Sequence, residues 1–367
     1  MKMKIDNIDV YLVSTAVKGN IADSTRQVES VGYVIVRLTT DTGLTGIGLT
    51  YHEVGGEGIR QLILKNLSTR VIGKDPFDTE AIWEDMINYM RGVGRKGLAF
   101  CALSAIDIAL WDLKGKIVGL PLYKLLGGYR KKIPVYASGG WTSYTPDQLV
   151  AELQGMVADG YKVVKFKVGV KEGKCPEEDI ERVKYVRKKL GPNIGIMIDA
   201  NNAYQASTAI RVGRQLEDSN IYLFEEPVIA DDMEGLAHVR ASINIPIATG
   251  EHEYTKYGMR DLLLNKAVDI VQFDVTRCGG ITEWMKMAAI AQAWNVVVAP
   301  HCMDYMHMHL VGAIPNGLML ERILTFEPVS ELVFVDPPQP KDGFLEIPDK
   351  PGLGLTLNEE NIKKFNE

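Results

Sequence analysis

Three carboxylates, Asp199, Glu225 and Glu251, each follow an apolar run: Ile196-Met197-Ile198, Leu223-Phe224 and Ala248-Thr249-Gly250. Their spacing is equal, since 225 − 199 and 251 − 225 are both 26. That interval suits one strand plus one helix, because a barrel of eight such units spends about 31 residues on each. The three acids are then expected at the same end of three consecutive parallel strands. Each pair of bare carboxylates about 4 Å apart costs about 4 kcal/mol at an effective dielectric of about 20, so three pairs cost on the order of 12 kcal/mol. A divalent cation is therefore expected among them, and oxygen-only ligands favour Mg2+, with Mn2+ acceptable, over zinc.

Other chemistry-bearing residues stand at neighbouring strand ends. Lys165 and Lys167 are two apart on a strand and share a face, while Val164, Phe166 and Val168 face the other way. A Lys-X-Lys pair is ordinarily two solvated side chains, but Val163-Val164 and Phe166 demand burial around this one. Two adjacent ammonium groups are expected to depress each other's pKa toward the range of a general base. Asp199, which as an isolated strand-end residue would most often cap a helix, shares a side of the chain with Asn201. Asp274 ends Ile270-Val271-Gln272-Phe273, and His301 ends Val296-Val297-Val298-Ala299-Pro300. Adjacent strand ends would let Asp274 orient the His301 ring as a base or acid. Glu321 closes Leu318-Met319-Leu320 and reaches the same mouth. His252, His307 and His309 have no metal-ligand spacing and are read as packing or rim groups; His52, beside Tyr51, belongs to the glycine-bearing region that follows.

The lysine on a second strand and the histidine on a seventh approach a central ligand from opposite sides. A cation on strands three to five would hold a carboxylate between them and stabilise the dianion formed when the alpha proton leaves. Return of the proton on the other face gives racemisation or epimerisation. If the next carbon carries a hydroxyl, His301 as acid expels it as water.

Several elements must position these groups. Strands are expected near 133–138, 162–167, 194–199, 221–225, 246–250, 268–273, 296–300 and 317–321, with helices between most of them, the alternation of a parallel sheet. Before them, antiparallel strands are read at Ile5 to Leu12, Gly32 to Leu38 and Leu44 to Thr50, with a long polar loop from Ser14 to Ser30. The helix from Gly97 to Lys116 carries an apolar stripe of Leu103, Ile106, Leu110 and Leu113. These readings divide the chain into an N-terminal α+β cap (1–125), a barrel (126–325) and a C-terminal segment (326–367) that returns to the cap.

A formal net charge of −6 gives no electrostatic footprint for nucleic acid or an anionic membrane, so a small-molecule partner is expected. The start lacks the apolar core of a secretion signal, and no window holds the ~20 apolar residues of a membrane helix. Cys101, Cys175, Cys278 and Cys302 are far apart and form no zinc or redox pair. A cytoplasmic location is the expectation.

In combination these residues resemble the enolase superfamily, mandelate racemase subgroup, whose enzymes set a Lys or His base beside Mg2+. The resemblance runs from Ala102-Leu103-Ser104-Ala105-Ile106-Asp107 through the last strand. It implies an α/β fold, a modified TIM barrel (β/α)7β with an N-terminal α+β capping domain completed by the C-terminal tail. It implies Asp199, Glu225 and Glu251 as metal ligands, Lys167 as one base, Lys165 as helper at the substrate carboxylate, His301 with Asp274 as the opposing dyad, and Glu321 as the eighth-strand acid. Most relatives with this set are acid-sugar dehydratases, which act on an aldonate or aldarate and leave a 2-keto-3-deoxy acid; some are racemases or epimerases. Homo-oligomers are common among them. Specificity is expected in cap loops near 15–30 and 50–58, where Lys18, Asn20, Asp23, Arg26 and His52 suit a hydroxylated ligand, with Trp141 and Tyr144 as another wall. Two readings from other classes compete: a Schiff-base aldolase using Lys167, indifferent to EDTA, and a non-catalytic binding protein, which has no use for two opposed bases.

Overall fold

The cap begins with a three-stranded antiparallel sheet, β1 (Ile5–Ala22), β2 (Gln27–Thr40) and β3 (Thr45–His52), in that order. The computed structural model describes residues 3–364; Met1, Lys2 and the last three residues, at the ends of the two outer expected segments, lie outside the described residues. The stretch expected as a loop, Ser14 to Ser30, is a continuation of the β1–β2 hairpin. Pairing runs on through Ile21↔Val28 and Ala22↔Gln27 after an irregularity between Ala16 and Ile21. Val13, Ile21, Val28 and Val31 bury one face, while Ser14, Ala16 and Lys18 are exposed on the other. The polar composition therefore marks the wet face of a strand pair.

The helix Leu98–Val118 packs against β3 at Gly46 and Gly48, where a methyl would overlap the carbonyl oxygens of Ala109 and Ala105. Glycine is what lets helix and sheet approach this closely. Buried polar side chains on the helix tie the parts together. Asp107 accepts from Thr282 N (2.9 Å) and Thr282 Oγ1 (2.6 Å) in the barrel helix Gly280–Ala293, and Asp112 accepts from Ile47 N (2.8 Å) and Leu353 N (2.7 Å).

The barrel strands are β4 (Lys132–Gly139), β5 (Val163–Lys167), β6 (Gly195–Asp199), β7 (Ile221–Glu225), β8 (Ile247–Thr249), β9 (Ile270–Val271), β10 (Val297–Val298) and β11 (Leu320–Ile323). They are parallel neighbours in sequence order, β11 lies beside β4, and a bridge between Val298 and Gly317 closes the ring. Helices follow the first seven strands, at 146–158, 176–190, 206–216, 233–242, 256–264, 280–293 and 304–313, which makes (β/α)7β. The ladders of β8 to β10 are shorter than expected. Beyond them the chain leaves the sheet, as at Gly250 with φ 138°, so that Glu251, Asp274 and His301 sit on loops above the strand ends.

Residues after 326 contact both parts. The helix Glu327–Val333 packs on β1 and β2, and β12 (Phe344–Glu346) pairs antiparallel with β4. Within the C-terminal segment, residues 354–357 meet Phe334 and Val335, with Val335 N donating to Thr356 O at 2.9 Å. Among the described residues no helix is long and apolar enough to cross a membrane.

Candidate active site

The barrel interior has an apolar floor of Tyr136, Met197, Leu223, Ala248, Ile270, Ala299 and Met319, with Val163 packed against it. Side chains two residues further along a strand point the same way. That step leads from Met197 to Asp199, Leu223 to Glu225, Ile270 to Gln272, Ala299 to His301, Met319 to Glu321, and Val163 to Lys165 and Lys167. The layer above the floor is thus charged but for Gln272, and these groups are buried.

Lys165 Nζ lies 2.6 Å from Glu321 Oε1, 2.7 Å from Glu225 Oε2 and 4.0 Å from Asp199 Oδ2. Lys167 Nζ is 2.5 Å from Asp199 Oδ2. His301 Nδ1 meets Asp274 Oδ2 at 3.0 Å, and its Nε2 is 3.5 Å from Glu251 Oε2. The structure therefore brings together Lys165, Lys167, Asp199, Glu225, Glu251, Asp274, His301 and Glu321. Since Thr276 N and Oγ1 both donate to Asp274 Oδ1, at 2.7 and 2.8 Å, Oδ2 is the acceptor left for the His301 Nδ1–H. That tautomer leaves the Nε2 lone pair of His301 free.

The charge states differ from the sequence expectation for the lysines. Burial and the ammonium of Lys165 both lower the Lys167 pKa, but the Asp199 carboxylate outweighs them and raises it. Lys165 is raised well above its ordinary value by Glu225 and Glu321 against its own burial. Carboxylates at contact distance thus outweigh the like charge two residues away. His301 is held well below its ordinary value by burial and by the cations Arg277, Lys165 and Lys167. Burial pushes Asp274 up to about 7 and Glu225 up to about 8, and raises Glu251.

Above this layer the cap forms the roof. An inner chamber of about 50 Å³ is lined by Lys167, His301, Glu251, Asn201, Trp141, Arg26 and Glu53, among others. An outer one of about 330 Å³ shares Asp23, Arg26, Tyr51, Glu53, Asn201, Glu251 and Arg277 with it. Of the expected substrate contacts, Trp141 and Arg26 line the inner chamber together with Asn201, which was expected on the ligand-facing side beside Asp199, and His52 borders only the outer one. Asn20 is a correction: it lies in the irregular part of β1, exposed, and its carbonyl accepts from Ser143 Oγ at 2.8 Å instead of facing either chamber. Lys165, Asp199, Glu225 and Glu321 lie beneath the chamber wall, each with no more than 1% of its side chain exposed.

Sequence reasoning missed Gln272, Arg277 and Glu53. Gln272 Nε2 donates to Glu225 Oε2 at 2.7 Å, and its place two residues after Ile270 and two before Asp274 in the same apolar run was a usable signal. Arg277 stacks over the Tyr51 ring at 4.7 Å and reaches the carbonyl of Glu251 at 3.2 Å. It follows the strand by a tight turn, so no periodicity points to it. His307 and His309 are packing groups, as expected: His307 accepts from Val275 N and bonds Cys302 O, and His309 accepts from Tyr123 N and bonds Leu353 O.

The residues present fit a hard divalent cation. Asp199, Glu225 and Glu251 offer oxygen alone, and Glu225 Oε1 is fully buried with no hydrogen-bond partner, a costly condition that a cation relieves. The ligand atoms that approach most closely are a different set, Glu226, Glu251 and His252, all within 4.8 Å. There Glu226 and the neighbouring acids outweigh burial and push the His252 ring up to about 10. With those acids uncompensated, the imidazole serves as the counter-ion of that cluster.

A capped β/α barrel with buried carboxylates between a lysine and a histidine dyad is the architecture of an enzyme that works on carbon acids. Residues 7–127 match the mandelate racemase / muconate lactonizing enzyme N-terminal domain, and residues 148–361 match the enolase C-terminal domain-like family. The chain belongs to the mandelate racemase / muconate lactonizing enzyme family of the enolase superfamily. It is 37% identical over 332 residues to L-talarate/galactarate dehydratase of Salmonella typhimurium, a match spanning 90% of this chain and 81% of that one. D-galactarolactone cycloisomerase of Agrobacterium fabrum is 33% identical over 380 residues, 99% of each chain. The crystal structure of a racemase from Streptomyces coelicolor with bound magnesium is similar at a TM-score of 0.93 and 31% identity, covering 98% of this chain and 99% of that one.

Proposed function

We propose that this protein is a Mg2+-dependent sugar-acid dehydratase, which removes the proton alpha to the carboxylate of an aldonate or aldarate and eliminates the beta-hydroxyl. The observation that carries this reading is that Lys167 and His301 line one chamber together with Glu251. Asp199, Glu225 and Glu251 would hold Mg2+, which stabilises the charge a carboxylate gains as its alpha proton leaves. Lys165, enclosed by Glu225 and Glu321, supplies a fixed positive charge from below. Asp274 fixes the His301 tautomer, so that Nε2 faces the chamber with a lone pair. Whichever of Lys167 and His301 faces the C2 hydrogen takes it, Lys167 becoming available as a base when Asp199 serves the ion and no longer holds the amine protonated. The C–H electrons become the C2=C3 bond, the C3 hydroxyl takes a proton and leaves as water, and the enol tautomerises to a 2-keto-3-deoxy acid. Asn201, Trp141 and Arg26 contact the substrate. A homo-oligomer, as the resemblance implied, in the cytoplasm, the location expected from the sequence, goes with this reading.

Incubation with a panel of aldonic and aldaric acids in magnesium buffer is expected to yield semicarbazide-reactive keto acid. No turnover across the panel would defeat the proposal. Racemisation or epimerisation is the second reading, favoured by the same flanking pair and by the racemase name of one structural relative. Deuterium entering recovered substrate without keto acid selects it. A Schiff-base aldolase using Lys167 would be selected by borohydride inactivation in the presence of substrate together with indifference to EDTA.

A further inference from the structure

We infer that this site is built for monocarboxylic sugar acids, aldonates, and discriminates against dicarboxylic aldarates, because the cap sets two carboxylates against a single guanidinium at the border of both chambers. The inference rests on the dehydratase reading and names its substrate class.

The cap sends three charged side chains to the border of both chambers: Asp23 and Arg26 from the β1–β2 turn, and Glu53 just after β3. Arg26 pairs with both acids, through Nη2 to Glu53 and through Nε to Asp23 Oδ2 at 3.5 Å. One guanidinium thus serves two carboxylates. The Asp23 and Glu53 side chains are 8% and 18% exposed, so water screens them poorly. Asp23 is also locked in place, its Oδ1 accepting from Thr25 N at 2.6 Å and from Arg26 N at 2.9 Å.

The other cations on these walls are committed elsewhere. Lys167 lies against Asp199, Arg277 against the backbone carbonyl of Glu251 and the Tyr51 ring, and His252 against Glu226. A second substrate carboxylate would therefore meet like charge with no unclaimed cation among the described wall residues. A hydroxylated chain end meets two carboxylate acceptors and guanidinium donors, the partners a hydroxyl uses.

The test compares matched acids on the Mg2+-loaded protein: D-gluconate against D-glucarate, and D-galactonate against galactarate. The best aldonate is expected to exceed the best aldarate in kcat/KM by at least tenfold, and Glu53→Gln to narrow that ratio at least fivefold. A wild-type preference for an aldarate overturns the inference, as does a ratio that folded Glu53→Gln leaves unmoved or widens. Should Glu53→Gln fail to fold, the wild-type ratio decides. If neither class is turned over, the dehydratase reading fails separately. Thermal shifts with the same pairs then decide the charge inference, greater stabilisation by aldonates supporting it and by aldarates overturning it.

Discussion

Replacing Asp274 by Asn keeps the shape of the dyad and reverses its hydrogen bonding. Thr276 donates twice to Oδ1, at 2.7 and 2.8 Å, so an Asn must leave its single acceptor there and turn its NH2 toward His301. Nδ1 of His301 then becomes an acceptor, the proton moves to Nε2, and the ring faces the chamber with an N–H in place of a lone pair. The charge is lost as well. A carboxylate and an imidazolium 3.0 Å apart attract by about 5.5 kcal/mol at an effective dielectric of about 20. At about 1.4 kcal/mol per factor of ten, that is about 10⁴ in rate, and the equivalent change in a Ser-His-Asp triad costs about 10⁴ too. The assay is kcat for keto-acid formation with saturating Mg2+, alongside thermal unfolding to verify the fold. A loss of about 10⁴ is expected, while exchange of the C2 hydrogen with deuterium persists for acids whose C2 hydrogen faces Lys167. A folded variant that loses less than tenfold refutes the role given to the dyad.

Three further outcomes are expected. Stripping the protein with EDTA should abolish dehydration and lower the unfolding midpoint, since an ion present at 100 times its Kd adds about 2.7 kcal/mol; full activity in chelator would contradict a bound metal. Gly48→Val forces a branched side chain into the Ala105 carbonyl on the cap helix and should cost about 3 kcal/mol in a denaturant titration; an unchanged midpoint would mean the sheet and helix have slack the packing does not show. Burial holds the His309 ring down to about 4, and its Nδ1 accepts from Tyr123 N, so protonation sets two N–H groups against each other. The unfolded chain takes that proton below about 6.5, so stability falls as pH drops from about 6.5 toward about 4. His309→Gln should flatten that slope, and an equally steep slope in the variant would show that the proton uptake lies elsewhere.

The barrel was readable in the sequence because parallel strands buried on both faces are apolar runs, and any charge at their ends stands out. The same alternation linked Lys165 to Lys167 and Asp199 to Asn201. The Ser14 to Ser30 stretch misled, because a strand pair wet on one face carries the polar composition of a loop and hides Ile21 and Val28 among hydroxyls and charges. Gln272 was within reach of the two-residue rule, whereas Arg277 and Glu53 were not: they reach the chamber from turns, where spacing along the chain no longer measures distance in space. The lysine charge states were misjudged because the neighbour two residues away is visible in sequence, while the contacts at 2.5 to 2.7 Å come from other strands.

In the proposed function, three carboxylates at or just beyond the ends of successive strands share one ion between an amine and an imidazole. Anomalous diffraction from crystals grown with Mn2+ locates that ion without reference to activity. A single strong peak within coordination distance of Asp199, Glu225 and Glu251 is the expected result. A peak held instead by Glu226, Glu251 and His252, or no bound manganese at all, would contradict it.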